Sequence, residues 1–336
     1  MSEKKDNFRF VISTYGDKYI GFLLVAIFSI IKSNSEAKIS ILWEDIDEKK
    51  IDLLTKVFPK VNFVKVDFKI NSDSIKRISS KTIFWEHAVN IYQDEDLCLL
   101  DSDMLVLKDI SIFFGSTADI IFTYKDGIYP LNTGIMLVKN SKKVANFFTI
   151  WKKKTIEILN NKEDFEKANS LKFPYGGADQ MSFYNIIGYR KNVTDYSIEA
   201  DDDSIKFSGI PCAILNETRS VQISNQTHVV HYKGGWRLIL TEGANFTKNR
   251  PKKESFEMYL LYLKTFKEAF EMARKYDSDL KIKDFNITIP FYLDKNFVEN
   301  KFRYLIFNIF NFIKRISTIC IKFLWYAKSQ YSDERI

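Results

Sequence analysis

The sequence predicts an α/β protein: a mostly parallel central sheet with helices on both faces, followed by a helical C-terminal extension. Strand-like and helix-like segments alternate over about the first hundred residues, in the order β-α-β-α-β. The 336 residues, 46 % hydrophobic and 28 % charged, suffice for one large core with additions. A short apolar run at residues 97–100 leads into Asp101-Ser102-Asp103 and three more apolar residues. Two carboxylates therefore fall at the carboxyl end of a strand, where open parallel sheets hold their ligands.

Taken in order, residues 8–13 read as the first strand, and residues 14–17 as a turn whose Asp17 caps a helix over residues 19–33. A second strand at 38–44, a helix at 47–57, a third strand at 61–68 and a helix at 81–92 lead to a strand over 97–106 that carries the Asp-Ser-Asp. Another strand is predicted at 118–124. Asn132, Thr133 and Gly134 then form a turn that introduces a strand at 135–138. Residues 141–158 form an amphipathic helix with a serine cap, 173–177 a loop, and 178–187 a helix. Residues 221–223 and 227–232 are strand-like, 233–237 a turn with two cationic side chains, and 252–276 a long amphipathic helix.

The net charge is +7, concentrated toward the last forty residues. Such an excess is compatible with nucleic acid, anionic lipid or phosphorylated ligands and selects none of them. No arginine-rich arm or nucleic-acid motif occurs, so no nucleic-acid partner is expected. Cys98, Cys212 and Cys320 form neither a disulfide framework nor a metal pair, which favours a reducing compartment. Asn-x-Ser/Thr triplets at Asn192, Asn216, Asn225, Asn245 and Asn286 carry no weight in so Asn-rich a chain. The polar start has no signal-peptide pattern, and the apolar run at 20–31 is too short to span a bilayer.

Chemistry is expected from a few residues. Alternate side chains of an extended chain face the same way, so Asp101 and Asp103 converge. Two carboxylates in an apolar run are costly unless a cation meets them, and a divalent ion carrying phosphate oxygens suits them; the alternative is a solvated turn. His231 ends a strand beside Lys233-Gly234-Gly235 and either completes a two-carboxylate, one-imidazole site that suits Mn²⁺ or is structural. His228 is read as structural, and His87 has no role. Lys233 and Arg237 flank a Gly-Gly that lets backbone approach a ligand, as a phosphate clamp or as a solvated turn. Asn132 is placed to bond sugar hydroxyls or to make a turn, and Asp179-Gln180 either serve the site or cap a helix.

These stretches together resemble glycosyltransferase family 8 of the GT-A group. The series is Tyr19 with Ser29-Ile30 and Asn34, Leu100-Asp101-Ser102-Asp103, Asn132-Thr133-Gly134, Asp179-Gln180, and His231-Tyr232-Lys233-Gly234, and it covers residues 8–240. The resemblance implies a retaining transferase that moves a hexose from a nucleotide-diphosphate sugar, usually UDP-linked, with Mn²⁺ or Mg²⁺. It implies Asp101, Asp103 and His231 as metal ligands and Tyr19 as the residue that stacks on uracil. Thr14, Tyr15 and Ser102 line the nucleotide crevice, Lys81 replaces an arginine at donor oxygens, and Asn132 and Thr133 meet the donor sugar. Asp179 and Gln180 lie at the reacting carbon, and Lys233, Gly234 or Arg237 at the pyrophosphate. Two departures stand out: the segment after Gly234 is Gly235-Trp236-Arg237 where the family continues to Lys-Pro-Trp, and Met181 replaces a second acid after Asp-Gln.

Three segments are expected: residues 1–245 as the catalytic domain, 246–296 as a helical extension, and 297–336 as a basic, aromatic tail. Over residues 301–328, Asn308, Asn311, Arg315, Thr318 and Lys322 make one polar stripe among Phe, Ile and Leu. That pattern reads as a helix lying in a membrane surface or packed on protein. The expected location is the cytoplasm, peripheral on the inner face of the membrane, with a glycan or glycolipid such as lipopolysaccharide as acceptor. Two alternatives are a non-catalytic nucleotide-sugar-binding protein and a phosphatase of the haloacid dehalogenase type. The phosphatase would use Asp101 and Asp103 with the acidic residues 201–203.

Overall fold

The computed structural model describes residues 8–69, 79–125, 130–170, 175–188, 195–200, 203–218, 223–242 and 256–287. Among them an eight-stranded sheet has the order β3-β2-β1-β4-β7-β6-β9-β8. The strands are β1 (Phe8–Tyr15), β2 (Lys38–Glu44), β3 (Val61–Lys65), β4 (Asp96–Asp101), β6 (Ile120–Tyr124), β7 (Leu131–Val138), β8 (Asp195–Ala200) and β9 (Asp203–Pro211). Strands β3, β2, β1 and β4 run parallel, as do β6 and β9, while β7 is antiparallel to both its neighbours and β8 to β9. A separate two-stranded antiparallel sheet joins β5 (Met104–Val106) to β10 (Val229–His231).

Helices cover both faces. On one lies α1 (Ile20–Ser33), buried almost all round because α9 (Phe256–Arg274) covers its outer side, with the Phe22 and Tyr262 rings 5.2 Å apart. A helix apolar on every side needs such double cover, which accounts for the run at 20–31. On the other face lie α3 (Lys81–Ile91), α4 (Lys142–Asn160) and α6 (Ala178–Ile187), whose Trp85, Phe147, Trp151 and Phe183 pack on Leu97, Leu99, Met136 and Phe122. Shorter helices are α2 (Glu48–Val57), α5 (Lys162–Asn169), α7 (Cys212–Leu215) and α8 (Gly235–Glu242). All described residues fall within one compact unit, and α9, drawn from the segment placed at 246–296, packs on α1 and α2.

Several expectations change. Asp17 does not cap α1; a 3₁₀ turn, Asp17–Tyr19, intervenes, and the Asp17 carboxylate accepts from the Asp47 N–H and from Lys50 Nζ, both at 2.9 Å. The strand expected at 97–106 is two strands in two sheets, broken at Ser102 and Asp103. Asn132, Thr133 and Gly134 lie within β7 rather than in a free turn; the Asn132 Oδ1 accepts from the Gly134 N–H at 2.8 Å where the register between β6 and β7 shifts. The expected turn at 233–237 becomes a helix from Gly235 onward. The third strand stops at Lys65, and Ile223 is not in a strand. The hairpin β8–β9 and the short α5 and α7 were not expected. Residues 221–222, 252–255 and the tail at 297–336 lie outside the described residues.

Candidate active site

The site is built by the break in the Asp-Ser-Asp run. Strand β4 passes through the middle of the sheet and ends at Asp101, which is in register with Ser13 of β1. The chain turns at Ser102, and β5 leaves to pair with β10, setting His231 opposite Met104. The Tyr232 N–H donates to the Asp103 carbonyl at 2.8 Å and fixes this register next to the carboxylates. His231 Nε2 lies 3.0 Å from Asp103 Oδ1 and 3.8 Å from Asp101 Oδ2. One ligand atom each from Asp101, Asp103 and His231 falls within 4.8 Å of the others.

Glycine makes room for the imidazole. A Cβ on Gly134 would meet His231 Cε1 and Met104 Cε, each at 2.7 Å, and His231 Nδ1 at 2.9 Å. The Nδ1 side of the ring faces the Asn216 Oδ1 at 2.9 Å. Asn216 follows α7 and is fully buried; its N–H is held by the Cys212 carbonyl, and Glu217 bridges to Val230. The residue therefore matters as a partner of His231, a role its Asn-x-Thr context does not signal.

Two cations sit against the carboxylates. Lys81, the first residue of α3, places Nζ 3.2 Å from both Asp101 oxygens, 3.3 Å from Asp179 Oδ2 and 2.9 Å from the Thr133 carbonyl. Arg237, in the first turn of α8, places Nε 3.2 Å from Asp103 Oδ2, with its guanidinium 5.8 Å from the centre of the Tyr19 ring. Burial works against charge on Asp103, but the His231 imidazole and the Arg237 guanidinium beside it outweigh this and hold the carboxyl well below the usual range. Burial raises Asp101, with Lys81 opposing. Burial would lower Lys81, but Asp101 and Asp179 reverse this and raise it. His231 is lowered by burial, with Asp103 offsetting only part. Lys233 falls to about 8 through burial and the neighbouring charges of Lys125 and Lys81. Among the described residues no carboxylate is within ion-pair distance of Lys233.

A divalent cation fits these residues. Two carboxylates and an imidazole are a suitable donor set for Mn²⁺ or Mg²⁺. Asp103 Oδ2 is buried without a hydrogen bond, its approach to Arg237 being an ion pair only, and a buried anionic oxygen left so calls for a partner.

The other expected residues are placed as follows. Asp179 is 2 % exposed, with Oδ1 accepting from Ser79 at 3.1 Å and Oδ2 from Thr133 at 2.6 Å. Gln180 donates to the Gly176 carbonyl at 3.1 Å, and its Oε1 is buried without a partner. Met181 packs on Ile158 and Ala168, so the position that departs from the family is part of the core. Thr14 is buried at the end of β1 with an unpaired hydroxyl, and Tyr15 lines an open groove of about 750 Å³ with Asp17, Trp43 and Glu44. Ser102 is half-buried in the turn, and Gly234 is exposed at φ 64°. His228 makes a structural bond to the Asp109 carbonyl at 2.9 Å. Ser79, Thr123 and Asn216 were not anticipated; a hydroxyl or amide that supports a site from behind has no spacing of its own to reveal it.

The architecture, a mostly parallel sheet with the site at the carboxyl edge, is of the GT-A type found in glycosyltransferases. Among solved structures the chain is similar to the glycosyltransferase GlyE of Streptococcus pneumoniae TIGR4. The TM-score is 0.51 at 13 % identity, over 81 % of this chain and 63 % of that one. This chain thus spans 63 % of the length of the GlyE chain. The galactosyltransferase LgtC, determined with donor and acceptor sugar analogues, aligns over 85 % of this chain and 99 % of its own, at 13 % identity and a TM-score of 0.45. No family model matches the chain, and no curated protein matches it. The likeness is one of fold.

Proposed function

We propose that the chain is a metal-dependent, retaining glycosyltransferase that moves a hexose from a UDP-linked donor to a glycan or glycolipid such as lipopolysaccharide. The observation that carries the reading is the meeting of Asp101, Asp103 and His231, from three separate points of the chain, within the span of one ion. These three would hold Mn²⁺ or Mg²⁺, which supplies Lewis-acid charge to a diphosphate leaving group when bound.

The chain's own residues supply the rest. Lys233, half-buried and without a carboxylate partner among the described residues, adds preorganised positive charge for the diphosphate. Arg237 is already engaged with Asp103, so of the two cations Lys233 is the better placed for this role. The groove at Tyr15 and Trp43 offers aromatic walls to a nucleoside, and Tyr19 beside Arg237 a further ring. The unpaired Gln180 carbonyl is a dipole suited to positive charge developing at the anomeric carbon. Asp179, with both oxygens engaged and the residue buried, serves better to hold Lys81 and Thr133 than to attack. In the proposed step the acceptor hydroxyl oxygen bonds the anomeric carbon on the face the phosphate leaves. The carbon–phosphate-oxygen bond breaks, and the hydroxyl proton passes to the departing phosphate oxygen.

The test is hydrolysis of UDP-hexoses. Mn²⁺-dependent release of UDP is expected from the full chain and at least a hundredfold less from Asp103→Ala. Donor binding with no metal-dependent turnover would return the chain to a binding role. The membrane reading belongs to residues 301–328, outside the described residues; among the described ones no helix is long and apolar enough to cross a membrane. Truncation after Asn300 is expected to release the protein from anionic vesicles while keeping UDP-hexose hydrolysis. A truncated protein that still sediments with them would contradict a tail anchor on the cytoplasmic face.

A further inference from the structure

Behind His231 runs a chain of hydrogen bonds in which each proton has one place to go. It begins at the main-chain carbonyl of Asn132, which lies 2.9 Å from Thr123 Oγ1. Two oxygens that close need a proton between them, and a carbonyl has none to give, so the Thr123 hydroxyl donates. Having spent its proton, Thr123 Oγ1 accepts from the Asn216 side chain at 2.8 Å, with the Cys212 thiol, a weak partner, also beside it. Only the Nδ2 end of the amide donates, so Nδ2 faces Thr123 and Oδ1 faces His231. The Asn216 Oδ1, 2.9 Å from His231 Nδ1, can then only accept, and Nδ1 must carry the proton. Thr123, Asn216 and His231 are 1 %, 0 % and 3 % exposed, so solvent offers no other arrangement. Gly134 lies against the same edge of the ring, so close that an added Cβ would fall 2.9 Å from Nδ1.

We propose that Asn216 is a positioning residue: through Thr123 and the Asn132 carbonyl it keeps a proton on His231 Nδ1 and thereby reserves Nε2 for the cation. The inference rests on the metal reading of Asp101, Asp103 and His231, and it adds the outer layer that sets which nitrogen can ligate. Ligating histidines elsewhere depend on such partners for orientation and basicity, and losing one typically weakens metal affinity by about 10- to 100-fold.

The experiment has two arms on the full chain. In protein with ¹⁵N-labelled histidine, only three histidines need assignment. His231 Nδ1 is expected to resonate as a protonated nitrogen both without metal and with Mg²⁺, while Nε2 changes on adding the ion. An unprotonated Nδ1 in either condition would overturn the proposal, and this arm needs no variant to fold. In the second arm Mn²⁺ affinity is measured by electron paramagnetic resonance. Asn216→Leu is expected to weaken it by about 10- to 100-fold. Asn216→Asp, whose carboxylate can accept the same proton once the Thr123 hydroxyl turns from the Asn132 carbonyl to donate to it, is expected to retain most of it. Unchanged affinity in Asn216→Leu, or equal loss in both variants with their melting temperatures maintained, would overturn the proposal. Wild-type protein that binds no Mn²⁺ would instead overturn the metal reading, and the nuclear magnetic resonance arm would still decide whether Asn216 sets the proton.

Discussion

At the scale of the residue, the site depends on what is missing as much as on what is present. Gly134 lies in β7 and needs no left-handed backbone, so its value is space: an added methyl would lie 2.7 Å from His231 Cε1. Gly134→Ala is therefore expected to push the imidazole off the carboxylates and to weaken Mn²⁺ binding at least tenfold. Circular dichroism should stay close to wild type; unchanged Mn²⁺ affinity would show that the ring has slack. Residue type marked the two acids and the imidazole only as candidates, beside a solvated turn and a structural histidine; the resemblance joined them into one ligand set, and the fold brings them together. Asn216 was not, because its meaning comes from a partner 15 residues away that the fold selects. Met181, by contrast, was recognised as a departure, and its burial shows where that side chain is spent.

At the scale of the element, the sheet is tied at both edges. At the amino edge Glu95 makes two bonds to Arg9 of β1, at 2.9 and 3.1 Å, and reaches Lys38 of β2 at 3.3 Å, just before β4 begins. Burial opposes charge there, but Arg9 and Lys38 outweigh it and lower the Glu95 carboxyl below the ordinary glutamate range. A carboxyl lowered in the folded state stabilises the protein above its unfolded-state range, and that contribution is lost as pH falls through the folded value. Glu95→Gln is expected to cost about 1–2 kcal/mol near neutral pH. The two proteins should converge as the pH falls below the ordinary glutamate range and through the lowered value of the folded carboxyl, where the wild type gains its proton. A difference in urea midpoint that persists undiminished into acid would contradict this. At the carboxyl edge the β5–β10 pair does the tying, and here the sequence misled. Residues 97–106 are apolar enough to read as one strand, yet only a break lets β5 reach β10 and bring His231 in. Asn132-Thr133-Gly134 has turn composition but lies in β7, because tertiary packing against His231 outweighs local preference.

At the scale of the molecule, the alternating strands and helices of the first half were legible because their apolar periodicity is strong. The hairpin β8–β9 was obscured by the run of acidic residues 201–203, whose composition does not suggest that β9 begins at Asp203. The apolar run of α1 found its explanation only in three dimensions, between the sheet and α9. What unites the scales is the claim that three side chains, brought together by two sheets, hold one divalent ion. Titration of the metal-free full chain with Mn²⁺, followed by electron paramagnetic resonance, measures this directly. The account predicts one tightly held ion per chain that is lost in both Asp103→Ala and His231→Ala while the fold persists. Binding that survives either substitution, or no bound ion in the wild type, would contradict it.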